Sequence, residues 1–358
     1  MLSIIYPYRN RELQRLQNSL ESLKNQTSSN FEVVFVDYGS NAQIARLVKH
    51  LCGSYSFVRY KYQPTQFQPW NKSKALNSII KNLDTEFCFV ADVDMIFHPQ
   101  FIERALKLQV ENKTVYFQVG FLGPEKIENG KDFFNYRNYW KSNKGATGLS
   151  MFPVSVLNML RGFDEFYHFW GAEDTDMHVR IENEGYEVEF YEDEVLMLHQ
   201  WHPSYRSSES RELGKNLQIN GIVQLNHQHL KHAIQYNTTK VNLENWGECI
   251  TREDLDQLEK APVNFVLDNE QRKIDHLVFV LLPAAKNEIL KITIGKDPFQ
   301  NSLKFRAKKL LRNKVPEYYS LKEINDKILL HLISFYRNKA YTYKISDDFK
   351  SIEVAVKF

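Results

Sequence analysis

Along the first ninety residues, short runs of Val, Ile, Phe and Tyr alternate with longer stretches in which leucines recur every three or four positions. LSIIY (2–6), FEVVFVD (31–37), SFVRYKY (56–62) and EFCFVAD (86–92) have the β-branched and aromatic content of strands. Between them, RELQRLQNSLESLKN sets Leu13, Leu16, Leu20 and Leu23 on one helical face, and NAQIARLVKHL and NKSKALNSIIKNL repeat the spacing. Strand and helix in regular succession predict an α/β fold with a doubly wound, mostly parallel sheet covered on both faces. Ligands of such sheets bind outside the carboxyl ends of the strands. Pro7 to Arg11, Asp37, and the pair Asp92 and Asp94 all fall at such ends.

Past residue 98 the alternation loosens. HPQFIERALKLQVEN (98–112) predicts a helix, and IENGKDFFNYRNYWKSNKGATG (127–148) has the aromatic, glycine-containing make-up of a binding loop. From Leu149 to Pro203 the pattern predicts a short strand, a helix, a turn, a helix beginning near Glu173, and two strands. PSYRSSESRELGKN (203–216) is polar throughout and is expected to be mobile, able to close over a bound ligand. A smaller α+β unit follows, with strands expected at NFVLD, HLVFVLL, EILKITI and SIEVAVKF and helices at NSLKFRAKKLLRN and LKEINDKILLHLISFYR. The predicted division is a larger domain over 1–250 and an accessory domain over 262–358, without internal repeats.

Composition narrows the function classes. With 358 residues, 43% of them hydrophobic, the chain can bury a large core, and disorder is excluded. Lys and Arg number 46 against 44 Asp and Glu, so no global basic field points to nucleic acid. Cys52, Cys88 and Cys249 are few, odd in number and far apart, which speaks against a disulfide framework and for a reducing compartment. No apolar run reaches the roughly 18 to 20 residues of a membrane span, and MLSIIYPYRN lacks the make-up of a signal peptide. The expectation is a soluble, cytoplasmic protein.

The chemistry lies in three places. FCFVADVDMIF runs from a buried strand into Asp92 and Asp94, and two like charges so close need a metal ion or a cationic side chain between them. An isolated Asp-X-Asp is more often an acidic turn. LHQWHP adds His199 and His202, and imidazole together with carboxylate suits Mn²⁺ better than Mg²⁺ alone. WGAEDTDMHVRI places Glu173, Asp174 and Asp176 in the first turn of a helix, behind Trp170 and Gly171. Helix capping explains one such acid. A second suits a general base toward a hydroxyl, and the Trp face suits a sugar ring.

YPYRNRELQRL, WNKSKALN, FCFVADVDMIF, GFDEFYHFWGAEDTDMHVRI and MLHQWH stand in the order and approximate spacing of the β-1,4-galactosyltransferases and their bacterial relatives among family 2 glycosyltransferases, such as the chondroitin polymerases. The resemblance covers about residues 1 to 205 and implies the GT-A fold. It further implies that Pro7, Tyr8, Arg9 and Arg11 line the uridine and diphosphate of a UDP-sugar, that Asp37 recognises the base, and that Asn71, Lys74 and Asn77 start a helix near the donor. Asp94 is then the metal ligand, Asp92 reaches the ribose or donor sugar, and Glu173 and Asp174 resemble the acceptor-binding acid and the catalytic base. Two departures matter. His199 stands where the galactosyltransferases carry a methionine, which suggests that both histidines are ligands, and Ala172 replaces their glycine, which leaves the acceptor open.

The implied activity is inverting, metal-dependent transfer of a hexose or N-acetylhexosamine from a UDP-sugar to a glycan or lipid-linked glycan, in a setting such as polysaccharide assembly. Trp170 and Trp140 are the expected sugar platforms. Two rivals are a sugar-phosphate nucleotidyltransferase, which needs a glycine-rich loop that YPYRNR lacks, and a sugar-binding module with a degenerate site, which retention of Asp94 and Asp174 opposes. In the accessory domain, KFRAKKLLRNK sets Lys304, Lys308 and Arg312 on one helical face and Leu303, Ala307, Leu310 and Leu311 on another. Such a stretch is usually a solvated face, and its other reading is peripheral contact with the inner face of the membrane.

Overall fold

The structure is a computed structural model, and it describes residues 1–124, 132–203 and 211–358. The start of the expected 127–148 binding loop and half of the 203–216 segment lie outside the described residues. The rest forms two compact units. The larger holds Met1–Gln66, the chain from Trp70 to residue 203, and Val223–Cys249; the smaller holds Phe67–Pro69, residues 211–222 and Ile250–Phe358.

In the larger unit the expected alternation appears as β1 (Leu2–Tyr8), α1 (Leu13–Lys24), β2 (Phe31–Tyr38), α2 (Ala42–Cys52), β3 (Val58–Gln63), α3 (Lys72–Ile80) and β4 (Phe87–Val90). Then come β5 (Met95–Phe97), α4 (Phe101–Lys107), β6 (Lys113–Phe117), β7 (Gly120–Leu122), β8 (Tyr139–Lys141), β9 (Ser150–Pro153) and α5 (Val154–Met159). The unit closes with α6 (Glu173–Asn183), β10 (Glu187–Tyr191), β11 (Met197–His199) and α7 (Ile222–Gln235), the last beginning one residue before the unit resumes.

Seven strands form one sheet in the order β10-β6-β9-β4-β1-β2-β3, parallel except for β9, which runs against β4 and β6. A second sheet, β5-β11-β7-β8, pairs Met197–His199 with Met95–Phe97. Both faces of the large sheet are packed. Leu16, Leu20 and Leu23 of α1 and Phe101 of α4 cover Ile4, Phe35 and Phe89 on one side; Leu76 and Ile80 of α3 with Leu157 of α5 cover Ile5, Val34 and Cys88 on the other. The mixed α/β architecture, mostly parallel, is the one the sequence predicts. Helix α4 is shorter than expected, because Val110 bridges to Lys113 and the chain turns directly into β6.

The smaller unit contains α8 (Arg252–Lys260), β12 (Phe265–Asp268), α9 (Gln271–His276), α10 (Leu282–Ala284), β13 (Ile289–Gly295), α11 (Leu303–Leu310), α12 (Leu321–His331), β14 (Tyr341–Ile345) and β15 (Ser351–Lys357). Its sheet order is β12-β13-β15-β14. One expectation fails here. HLVFVLL is helical, a π turn over Leu277–Leu281 joining α9 to α10. Ile274, Leu277, Val278 and Leu282 are buried while Phe279 and Val280 are exposed, a helical period that a seven-residue apolar window hides. Among the described residues, no helix is long and apolar enough to cross a membrane.

Candidate active site

Parallel pairing of β1 with β2 and β4 brings the ends of these strands to one edge, as the strand pattern requires. Asp37 is the penultimate residue of β2, and its carboxylate is buried. One oxygen accepts the Ser40 N–H at 2.8 Å and the other the Tyr60 hydroxyl at 2.9 Å. Burial raises its pKa, against the pull of those hydrogen bonds. The turn after it depends on Gly39: at φ +80°, a Cβ there would lie 2.4 Å from the Gln66 nitrogen. Arg9 ties the same corner, donating to the Gly39 carbonyl at 3.3 Å and to the Thr65 carbonyl, with its guanidinium 5.6 Å from the centre of the Tyr38 ring. Pro7 lies in register with Val36, Arg11 is exposed, and the Tyr8 hydroxyl donates to the Arg11 carbonyl at 2.5 Å.

Asp92 and Asp94 do not share one counter-charge. Asp94 turns toward β11, where its Oδ2 lies 3.2 Å from His202 Nε2 and its Oδ1 lies 3.7 Å from His199 Nε2. Donor atoms of Asp94, His199 and His202 all fall within 4.8 Å of one another. The Oδ1 is buried and lacks a hydrogen-bond partner, which is the signature of an acceptor shaped for something further. Burial opposes ionisation of Asp94, but the His202 hydrogen bond and the two imidazoles outweigh it and hold the carboxyl below its usual range. A carboxylate with two imidazole nitrogens is a donor set that fits a first-row divalent ion. Gln200, between the histidines, fixes the end of β11: its backbone N–H and side-chain amide both donate to the Asp94 carbonyl, at 3.0 and 3.1 Å, and the amide also donates to the Arg15 carbonyl on α1.

Asp92 faces the opposite way, toward α3 and α6. Lys72 Nζ lies 3.5 Å from Asp92, 3.6 Å from Glu173 and 3.3 Å from Asp174. Burial works against the charge of Lys72, yet the three carboxylates keep its pKa well above the ordinary value. Glu173 is pushed up to about 7 by burial and by the Asp174 charge, with Lys72 opposing. Asp174 is raised too, chiefly by burial. Gly148 backs that carboxylate so closely that a Cβ would sit 3.2 Å from its Oδ2. Asp176, the third acid of the turn, is occupied by structure: it pairs with fully buried Arg180 at 2.8 Å and accepts from Tyr167 at 3.1 Å.

The loop before α6 carries left-handed backbone at Phe169, Gly171 and Ala172, with φ of 67°, 100° and 73°. Such conformations persist only where surroundings enforce them. Here Asn226 of α7 does so, its amide donating to the carbonyls of His168 and Trp170 at 3.0 and 3.1 Å. Trp170 is partly exposed and tilts over His227. Trp140 on β8 is exposed and stacks on Phe121, which in turn packs against His199.

Asn71, Lys74 and Asn77 gather around Glu165 instead of the strand-end acids. Asn71 caps α3 through the Lys74 N–H at 2.7 Å and donates to the Glu165 carbonyl at 2.8 Å. Lys74 lies 3.7 Å from the Glu165 carboxylate and Asn77 donates to it at 3.1 Å. Lys72, Gln200 and Asn226 were not among the residues singled out from sequence. For Lys72 one signal existed, a cation at the start of the helix that the motif WNKSKALN announces.

Residues 3–159 match the family described as glycosyl transferase family 2, and residues 126–202 match the N-terminal domain of galactosyltransferase. An uncharacterized glycosyltransferase of Rickettsia bellii is 29% identical over 157 residues, 43% of this chain and 20% of that one. Human chondroitin sulfate synthase 3 is 29% identical over 126 residues, 33% of this chain and 14% of that one. The chain thus spans a fifth or less of the length of these relatives. Among solved structures, GalNAc-T7 with UDP, GalNAc and Mn²⁺ aligns at 12% identity with a TM-score of 0.48, over 65% of this chain and 48% of that one. S. aureus TarS 1–349 with UDP aligns at 14% identity with a TM-score of 0.46, over 97% and 94%.

Proposed function

Since the larger unit of this chain is a family 2 glycosyltransferase, we propose that it catalyses inverting, metal-dependent transfer of a hexose or N-acetylhexosamine from a UDP-sugar to a glycan hydroxyl. The observation that carries this reading is the meeting of Asp94, His199 and His202 around a buried, unpartnered carboxylate oxygen, beside a second cluster of acids around one lysine. Mn²⁺, with Mg²⁺ as the alternative, would be held by Asp94, His199 and His202 and would supply neutralisation of negative charge on the leaving diphosphate. Pro7, Tyr8, Arg9 and Arg11 would line the nucleotide, Asp37 the base, and Asp92 the ribose or sugar. Asn71 and Lys74 enter as support for the first turn of α3. Residues 1–250 are read as the catalytic domain, 262–358 as accessory, and polysaccharide assembly as the setting.

In the transfer step, Asp174 takes the proton of the acceptor hydroxyl as that oxygen bonds to the anomeric carbon. The bond from that carbon to the diphosphate oxygen breaks on the opposite face, its electron pair leaving with UDP. Arg9 and Arg11 are placed at the strand end where guanidinium groups suit phosphate oxygens. Glu173 would bind the acceptor, and Trp170 and Trp140 would offer flat faces to sugar rings.

Calorimetric titration of UDP with Mn²⁺, with Mg²⁺ and with EDTA tests the donor side. Binding that requires a divalent ion is the expected result; equal binding in EDTA contradicts the reading. Lys72 supplies a separate test of the base. Its charge lowers the pKa of Asp174 and Glu173, so its removal raises both, and the base then ionises only at higher pH. Lys72→Met should therefore move the ascending limb of the kcat/KM profile upward by about 1 to 3 pH units, and Lys72→Arg should leave it in place. An unmoved limb in Lys72→Met would show that this cation does not govern the base.

A further inference from the structure

Helix α11 is turned inside out. Ser302 caps it through the Phe305 N–H at 3.0 Å, and Phe305 anchors it between Phe299 and Tyr318, with ring centres at 5.6 and 5.8 Å. At 100° per residue, Leu303, Ala307, Leu310 and Leu311 form an arc on the side opposite Phe305. An ordinary surface helix points such an arc into the core. Here Leu303, Leu310 and Leu311 are 82%, 85% and 71% exposed, and no residue of the helix is buried.

The arc is flanked by cations alone. Lys304, Arg306, Lys308, Lys309, Arg312 and Lys314 lie between Asn301 and Pro316 without one acidic residue, and among the described residues none of the six forms an ion pair. We propose that α11 docks the protein on an anionic lipid bilayer, with the leucine arc among the acyl chains and the basic flanks at the headgroups. Two other occupants fit less well. A second copy of this helix would set six uncompensated positive charges against six more, and a soluble polyanion would not use the three exposed leucines.

The test is flotation of the full chain with phosphatidylcholine vesicles, with and without phosphatidylglycerol, together with retention on a heparin column. The expected result is capture by the anionic vesicles only, falling as salt is raised. Leu303→Ser, Leu310→Ser and Leu311→Ser together should weaken that capture at least about tenfold and leave heparin retention unchanged. These leucines are exposed, so the variant should keep its circular dichroism and melting temperature. No capture by anionic vesicles would overturn the proposal. Capture that survives the serine substitutions would overturn it as well and make the helix a site for soluble polyanions.

Discussion

Asp174→Asn is expected to lower kcat for sugar transfer by about 10³-fold or more while UDP affinity stays nearly unchanged. The substitution keeps the size of the side chain and an oxygen for Lys72, which lies 3.3 Å from the native carboxylate, so the cluster of Asp92, Glu173 and Lys72 should hold. Only the capacity to accept the acceptor's proton disappears. The choice of Asp174 over Glu173 is supported by this neighbourhood: Lys72 hydrogen-bonds Asp174, while burial and the Asp174 charge push Glu173 up to about 7. Glu173→Gln should consequently raise KM for the acceptor more than it lowers kcat. Equal loss of transfer and UDP binding in Asp174→Asn would place the residue in the fold or the donor pocket, and a collapse of kcat in Glu173→Gln alone would exchange the two roles.

What the sequence disclosed follows from how local each signal is. Strands β1, β2 and β4 are legible because a buried parallel strand is a continuous run of Val, Ile and Phe, and their ends carry the acids with them. His199 and His202 are conspicuous for residue type alone. Lys72 is not, since its meaning comes from acids 20, 101 and 102 positions away, brought together only by the packing of α3 and α6. Asn226 was hidden for a similar reason: α7 carries Asn226, His227, His229 and His232 within a mixed polar pattern, and its grip on the Trp170 loop exists only in three dimensions. The apparent crowding of Asp92 against Asp94 also resolved in space. Each acid found its own cation or imidazole on a different element.

Asp94→Ala should abolish the Mn²⁺ dependence of UDP binding and cost several kcal/mol of it, a loss of about 10³-fold or more in the affinity measured with Mn²⁺ present. The carboxylate is the single anionic member of the cluster, and without it two imidazoles remain, one of them already hydrogen-bonded through Nδ1 to the Pro203 carbonyl. Asp94→Asn separates charge from packing. It retains the volume and an oxygen at the buried position, so a variant that folds normally but still fails to respond to Mn²⁺ would assign the loss to the missing charge. His202→Ala offers an independent arm, because Gln200 rather than His202 holds the end of β11 to α1 and to the Asp94 backbone. It should weaken metal-dependent binding without unfolding the site. If native protein binds UDP equally in Mn²⁺ and EDTA, and Asp94→Ala changes only thermal stability, then Asp94 with His199 and His202 is a half-buried carboxylate–imidazole cluster that braces β11, and the donor diphosphate must be neutralised by the arginines of the first strand end.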